Sequence, residues 1–252
     1  MWIEPDWPAP ANVRALCTTR HGGVSTEPFA SLNLADHVGD DPDAVARNRA
    51  ILRERTAIPA DPIWLRQVHG TRVTDAAKNG ADREADAAFT DSAGIVCAVL
   101  TADCLPLLLC DRSGLRIAAV HAGWRGLAAG VIEAAIDRFP VDPGGLLAWM
   151  GPAIGPRAFV VGGEVRERFL HQDPAAAAAF EPAQADRWHA DLYALARRRL
   201  ALRGVRAVWG GRLCTHADPG RFFSYRRDGR CGRIATLIWL TGGDRAREPV
   251  GP

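Results

Sequence analysis

The amino-acid sequence predicts a single mixed α/β domain, and three observations support that expectation. Apolar runs of strand length recur from residue 13 to residue 240, so sheet-forming segments occupy both ends of the chain. Segments with helical periodicity separate them. No stretch rich in proline, glycine and serine divides the chain and no internal repeat occurs, so one domain over 1–252 is the economical organisation. The 252 residues are 48% hydrophobic and 24% charged, which suits a substantial core and argues against disorder.

Residues 13–19 read as a strand ending in the glycine-rich turn Arg20-His21-Gly22-Gly23-Val24-Ser25. Residues 41–56 read as a helix: Asp41 and Pro42 open it, and Val45, Ile51 and Leu52 share one face. A short strand over 63–68 runs into His69-Gly70. Residues 95–100 and 105–110 are continuous apolar runs, the pattern of strands covered on both faces. A strand over 116–120 stops at His121-Ala122-Gly123-Trp124-Arg125-Gly126. A helix over 127–139 follows, with Val131, Ala135 and Ile136 as its inner stripe and Pro140 as its stop. Leu146–Met150 is a strand ending in Gly151-Pro152. Helices are expected over 164–170 and 191–203; the second turns Leu192, Leu195 and Leu202 inward and its arginines outward. The alanines at 175–179, between Pro174 and Pro182, form a short helical or loop insert. Strands over 205–209 and 233–240 follow, and residues 242–252 read as a flexible polar tail.

Charge and hydropathy narrow the function. The net charge is +2, from 31 basic and 29 acidic residues, with no basic stripe of the kind that binds nucleic acid. A small-molecule ligand is therefore expected. The start Met1-Trp2-Ile3-Glu4-Pro5 lacks the basic and apolar regions of a signal peptide. The longest apolar runs are split by Thr101-Ala102-Asp103-Cys104, and neither approaches the ~20 residues that cross a bilayer. A cytoplasmic chain without membrane contact is expected, its cysteines 17, 97, 104, 110, 214 and 231 reduced. None has the close CxxC spacing of a structural zinc site, and Cys97 and Cys110 read as small buried hydrophobes.

Three residues stand in a common context. His69, Cys104 and His121 each follow an apolar run and adjoin small or glycine residues. Strand ends on one sheet edge bring distant side chains into one cleft. Their separations are too long for a local finger and suit ligands from neighbouring strands. Two imidazoles and a thiolate suit zinc, with a fourth position open to water or substrate; copper accepts the same set. The competing explanation is that a core histidine, a packed cysteine and a second histidine are unrelated.

The same residues carry a resemblance. Gln67-Val68-His69-Gly70, Thr101-Ala102-Asp103-Cys104-Leu105-Pro106 and Val120-His121-Ala122-Gly123-Trp124-Arg125-Gly126 resemble signature motifs of the multicopper polyphenol oxidase (laccase-domain) family. Its members are now mostly called purine nucleoside phosphorylases of the laccase-domain type, or peptidoglycan editing factors. Further blocks are similar in the same order: Thr18-Thr19-Arg20-His21-Gly22-Gly23-Val24-Ser25, Ser31-Leu32-Asn33-Leu34 and His37-Val38-Gly39-Asp40-Asp41 near the start. Gly151-Pro152-Ala153-Ile154-Gly155-Pro156 and Arg221-Phe222-Phe223-Ser224-Tyr225-Arg226-Arg227-Asp228 match later ones.

The resemblance implies an α+β fold: one layered α-β-β-α domain with mixed sheets, similar to the Cys/His hydrolase fold of a cytotoxic-necrotizing-factor-like toxin deamidase. It implies zinc held by His69, Cys104 and His121. It also implies phosphorolysis of adenosine, inosine, guanosine and methylthioadenosine, and deamination of adenosine. The chain departs from the family pattern at Phe159-Val160-Val161-Gly162, where Tyr-Glu-Val-Gly is common, so an acidic group is missing at Val160. Cys231 replaces a usual threonine and reads as packing.

Chemistry assigns roles around the metal. Deamination needs a carboxylate to carry a proton to the departing ammonia; Asp103 is the candidate, and its alternative role is to orient a ligand histidine. Phosphorolysis needs guanidinium groups for phosphate. Arg20, as a catalytic and phosphate-binding group, and Arg125 lie in motif loops, with Ser25 and the glycine turn as further phosphate contacts. A strand-to-helix ion pair is the alternative for Arg125. Tyr225, Arg226 and Arg227 could ring the pocket, or form a solvated turn. Trp124 either stacks on a base or packs. His21, His37, His171, His189 and His216 read as surface or structural. The expected partners are purine nucleosides and phosphate, and the chain is a monomer or weak homodimer. Rival functions are an amidase-type hydrolase editing peptidoglycan precursors, a copper-dependent polyphenol oxidase, and a non-catalytic metal-binding module. The oxidase ranks low, because electron transfer plus oxygen reduction needs more copper ligands than these three.

Overall fold

The computed structural model describes residues 2–78 and 83–242. The chain opens with strands β1 (Trp2–Ile3) and β2 (Val13–Thr18), then helix α1 (Pro42–Thr56). As expected, the Asp41 side chain caps α1 by accepting from the Asp43 N–H, and Pro42 takes the first turn, where no donor is needed. Val45, Ile51 and Leu52 are buried on its inner face. Strands β3 (Val73–Asp75), β4 (Ala87–Thr90), β5 (Val96–Thr101), β6 (Leu105–Asp111) and β7 (Ile117–Ala122) follow. Next come helices α2 (Trp124–Ala129) and α3 (Val131–Ile136), strands β8 (Leu146–Met150) and β9 (Val160–Val161), and helix α4 (Gly163–Leu170). Strands β10 (Phe180–Pro182) and β11 (Trp188–Ala190) lead into helix α5 (Leu192–Leu202). Strand β12 (Ala207–Gly210), the short helix α6 (Tyr225–Asp228) and strand β13 (Ile234–Leu240) complete the order.

Two sheets stack between helices. An antiparallel sheet runs β1-β2-β13-β5, and a mixed six-stranded sheet runs β12-β8-β6-β7-β4-β3. In the larger sheet β12–β8 and β3–β4 pair in parallel, and the other pairs are antiparallel. Cys17, Val99, Ile234 and Ile238 of the first sheet meet Leu108, Cys110, Ile117 and Trp149 of the second in the inter-sheet core. The outer face of the first sheet packs Leu16, Ala98 and Leu237 on Ile51 and Leu52 of α1. The outer face of the second packs Leu107, Leu109 and Val120 on α2, α3 and α5. This is an α+β arrangement of helix, sheet, sheet and helix layers. It explains why β5 and β6 are apolar throughout: each is covered on both faces, and each fully buried leucine contributes about 1.5–3 kcal/mol. A small antiparallel sheet, β10-β11-β9, lies beside the second helix layer.

Several elements differ from the sequence expectation. Residues 63–68 are not a strand; only isolated bridges, Ile63 to Cys97 and Arg66 to Glu84, occur there. The Gln67 side chain replaces a ladder rung, donating to Leu100 O and accepting from Leu100 N, both at 2.8 Å. The helix expected over 127–139 begins at Trp124 and breaks at Gly130, whose φ of 103° no helical residue adopts. Arg125 therefore sits on a helix rather than in a loop. On α5, Leu202 is 61% exposed, and Tyr193, Ala196 and Leu200 join Leu192 and Leu195 on the inner face. Arg199 is not outward; it pairs with Glu133 of α3 at 3.0 Å. The alanine insert is a 3-10 helix capped by Asp173. β3 and β4 escaped the sequence reading, because Ala87-Ala88-Phe89-Thr90 has too little β-propensity to stand out. The tail beyond Gly242 lies outside the described residues. No helix among the described residues is long and apolar enough to cross a membrane.

Candidate metal centre

The chain crosses from the first sheet to the second between Thr101 and Leu105. Asp103 turns there with φ 89°, and half-buried Cys104 follows at the start of β6. The β6–β7 register pairs Pro106 with His121 and Leu105 with Ala122, so Cys104 and His121 share one sheet edge. His69 approaches from the loop before β3, at φ 61°. Its ring lies edge-on to that of His121, with centroids 4.8 Å apart, and its Nε2 is 3.9 Å from Cys104 Sγ.

One ligand atom from each of His69, Cys104 and His121 lies within 4.8 Å of the others, the only such His/Cys/Asp/Glu group among the described residues. The arrangement can hold a metal ion. Gly123 fits the same purpose: a β-carbon there would stand 2.9 Å from both Cys104 Sγ and His69 Cδ2. At Gly126 a β-carbon would come within 2.9 Å of Gly70 O, so α2 and the His69 loop touch by backbone.

Electrostatics favour a thiolate. Burial by itself would raise the Cys104 thiol, but the charge of His121 and hydrogen bonds from His121 and His69 outweigh it and bring it from 9.0 to about 6. Burial would lower His121, but the Cys104 charge and the Asp86 hydrogen bond raise it from 6.5 to about 9. For Asp86, burial opposes ionisation, yet the His121 and backbone hydrogen bonds hold its carboxyl below 3.8. Its side chain is 0% exposed, and it accepts from His121 Nδ1 at 2.8 Å and from the N–H groups of Val68, His69 and Gly70 at 3.2, 2.9 and 2.6 Å.

The centre opens into a cleft of about 490 Å³. Arg125, Arg226 and Arg233 line it, each over an aromatic ring of the same cleft: Trp124 at 4.6 Å, Phe159 at 5.3 Å and Tyr225 at 5.8 Å. Among the described residues none of these three guanidiniums pairs with a carboxylate, so the ion pair considered for Arg125 does not form. Asp103 is the acid that lines the cleft. Its carboxylate accepts from Thr215 Oγ1 at 2.6 Å and from the Arg226 N–H at 2.7 Å, holding the first turn of α6. The carboxylate that hydrogen-bonds His121 is Asp86 rather than Asp103.

The structure brings His69, Cys104, His121, Asp103, Trp124, Arg125, Tyr225 and Arg226 together along one cleft, and His37 also lines it. Arg20 and Ser25 do not line this cleft. The Arg20 guanidinium donates to Ala30 O at 2.9 Å and Pro219 O at 3.2 Å and lies over Phe223, which ties two loops together. The buried Ser25 hydroxyl donates to Asp40 and accepts from Asn48. Arg227 is likewise structural, donating to the Thr215, His216 and Phe222 carbonyls. Asp86, Gln67, Phe159 and Arg233 were not singled out. A lone acid within Ala85-Asp86-Ala87-Ala88 was the available signal for Asp86. At Val160, where the family's acidic side chain is absent, the backbone carbonyl accepts from Arg226 Nη1 at 2.9 Å.

The chain is similar to several known proteins. A purine nucleoside phosphorylase of Pseudomonas aeruginosa is 57% identical over 240 residues, covering 95% of this chain and 98% of that protein. The purine nucleoside phosphorylase YfiH of Escherichia coli is 52% identical over 239 residues, covering 94% and 98%. A crystal structure of a Neisseria meningitidis protein superposes with a TM-score of 0.92 at 50% identity, covering 96% of this chain and 99% of that one. Residues 14–241 match the family described as multi-copper polyphenol oxidoreductase laccase, and the chain belongs to that family.

Proposed function

We propose that the chain is a zinc-dependent purine nucleoside phosphorylase that also deaminates adenosine, working in the cytoplasm as one domain, monomeric or weakly dimeric. The observation that carries this reading is the convergence of His69, Cys104 and His121 on a cleft lined by three arginines. The names of the Pseudomonas and Escherichia relatives agree with it. The likeness to a toxin-type Cys/His hydrolase fold remains part of the same proposal.

His69, Cys104 and His121 would hold the ion. Two imidazoles and a thiolate form a borderline-soft set suited to zinc, and copper accepts it too. When bound, zinc supplies Lewis acidity that makes hydroxide available near neutral pH. Arg125 and Arg226 bind phosphate, in place of Arg20 and Ser25, because their forks face the cleft without a carboxylate partner. Trp124 and Phe159 offer apolar faces for the purine. Asp103 carries the proton to the departing group; each carboxylate oxygen takes one donor and keeps a second lone pair. A polyphenol oxidase ranks below this reading, since one His/Cys cluster among the described residues is too few ligands for electron transfer plus oxygen reduction. Editing of peptidoglycan precursors has no observation of its own in its favour.

The test is to purify the protein, measure its metal by mass spectrometry, and incubate it with adenosine with and without phosphate. Inosine formed without phosphate, and free adenine only with it, supports the reading. No turnover of any purine nucleoside by zinc-loaded protein overturns it.

A further inference from the structure

Asp86 lies outside the ligand triad, yet two of the three ligands depend on its carboxylate. Oδ1 accepts from the His69 N–H at 2.9 Å and from His121 Nδ1 at 2.8 Å. Oδ2 accepts from the Val68 N–H at 3.2 Å and the Gly70 N–H at 2.6 Å. The Asp86 carbonyl accepts from the His121 N–H at 2.7 Å. Three backbone N–H groups therefore converge on the carboxylate, with His121 Nδ1 as its fourth partner.

We infer that Asp86 is a positioning residue that sets both imidazoles of the metal centre through one carboxylate. The inference rests on the metal reading above and extends it to a residue that is not a ligand. His69 has φ 61°, a left-handed conformation that its β-carbon disfavours. Three successive N–H groups turned onto one anion form a nest that holds the loop in that shape. The carboxylate already accepts from three backbone N–H groups, so it is the acceptor in this cluster and His121 Nδ1 is the donor. That leaves His121 Nε2 as the nitrogen available to a metal beside Cys104. Carboxylate partners of this kind fix the tautomer and raise the basicity of a ligating imidazole, and their loss costs about 10–100-fold in metal affinity. An asparagine has nearly the same shape, but its NH₂ group would face two of the donors.

The experiment compares wild type with Asp86→Asn. Zinc affinity is measured by competition with a chromophoric chelator, and the cobalt-substituted proteins are compared by their visible spectra, with circular dichroism and thermal melts as fold controls. The expected result is a folded variant that binds zinc about 10–100-fold more weakly, with a shifted cobalt spectrum. Wild-type affinity and an unchanged spectrum in the variant would overturn the inference. If the variant does not fold, nitrogen-15 spectra of histidine-labelled, zinc-loaded wild type decide the matter. A protonated, exchange-protected His121 Nδ1 supports the inference, and a metal-bound Nδ1 overturns it. Wild type that takes up no metal would instead overturn the metal reading, and this inference with it.

Discussion

Gly123 stands so close to Cys104 that a β-carbon at position 123 would lie 2.9 Å from the sulfur, and equally close to the His69 ring. The backbone there has φ −63°, which any residue adopts, so the need for glycine is one of space alone. Gly123→Ala is expected to keep α2 and lose metal. Overpacking of this kind costs about 1–3 kcal/mol, and each 1.4 kcal/mol is about tenfold in affinity. Zinc titration of the variant checks this, with circular dichroism as the control; unchanged affinity would refute the close fit.

Cys104→Ala is expected to lose both metal and activity, and full activity without bound metal would sink the site assignment. The thiol can also be followed directly in metal-free protein. Its ionisation at about 6 means that the reactive thiolate fraction rises as pH climbs through that value, whereas an ordinary thiol waits until 9.0. Alkylation at position 104, followed by peptide mass spectrometry, should reach half its plateau rate near pH 6, and zinc should suppress it. The buried thiols Cys97 and Cys17 stay protonated and should not react, because desolvation pushes both up.

The arginines separate phosphate binding from stability. Arg226→Ala or Arg125→Ala removes a charged donor from the cleft, and hydrogen bonds to charged groups are worth about 1.5–3 kcal/mol. Phosphate KM should rise about tenfold or more, with deamination of adenosine in phosphate-free buffer little changed. Arg20→Ala should do the reverse, lowering Tm while leaving phosphate KM near wild type, since its guanidinium holds Ala30 and Pro219. A rise in phosphate KM confined to the Arg20 variant would restore the sequence expectation.

Tyr193 supplies a test of the fold. Its buried hydroxyl lies 2.6 Å from Leu213 O and 3.0 Å from Gly151 O, and it accepts from the Ala153 N–H at 2.7 Å. Tyr193→Phe leaves buried backbone groups without a partner, a cost of about 1–3 kcal/mol. Denaturant unfolding should show a lower midpoint with an unchanged slope. A midpoint equal to wild type would mean that those groups find other partners.

The sequence by itself determined the apolar strands β2, β5, β6, β7, β8 and β13 and the start of α1, because alternation, apolar runs and capping are local properties. It also placed His69, Cys104 and His121 after apolar runs, in a common context, and the family motifs implied a shared purpose for them. What it could not assign was which sheet each run joins. β5 and β6 are separated by three residues and look alike, yet they belong to different sheets. Only the tertiary structure decided the groups around the metal. Arg20 looked like a phosphate ligand beside its glycine turn, but its partner Pro219 is 199 residues away. Asp86 looked like nothing, and the donors that converge on it come from a loop and a strand that meet only in the folded chain. Periodicity reports which side chains are buried; hydrogen-bond partners across such distances are settled by packing.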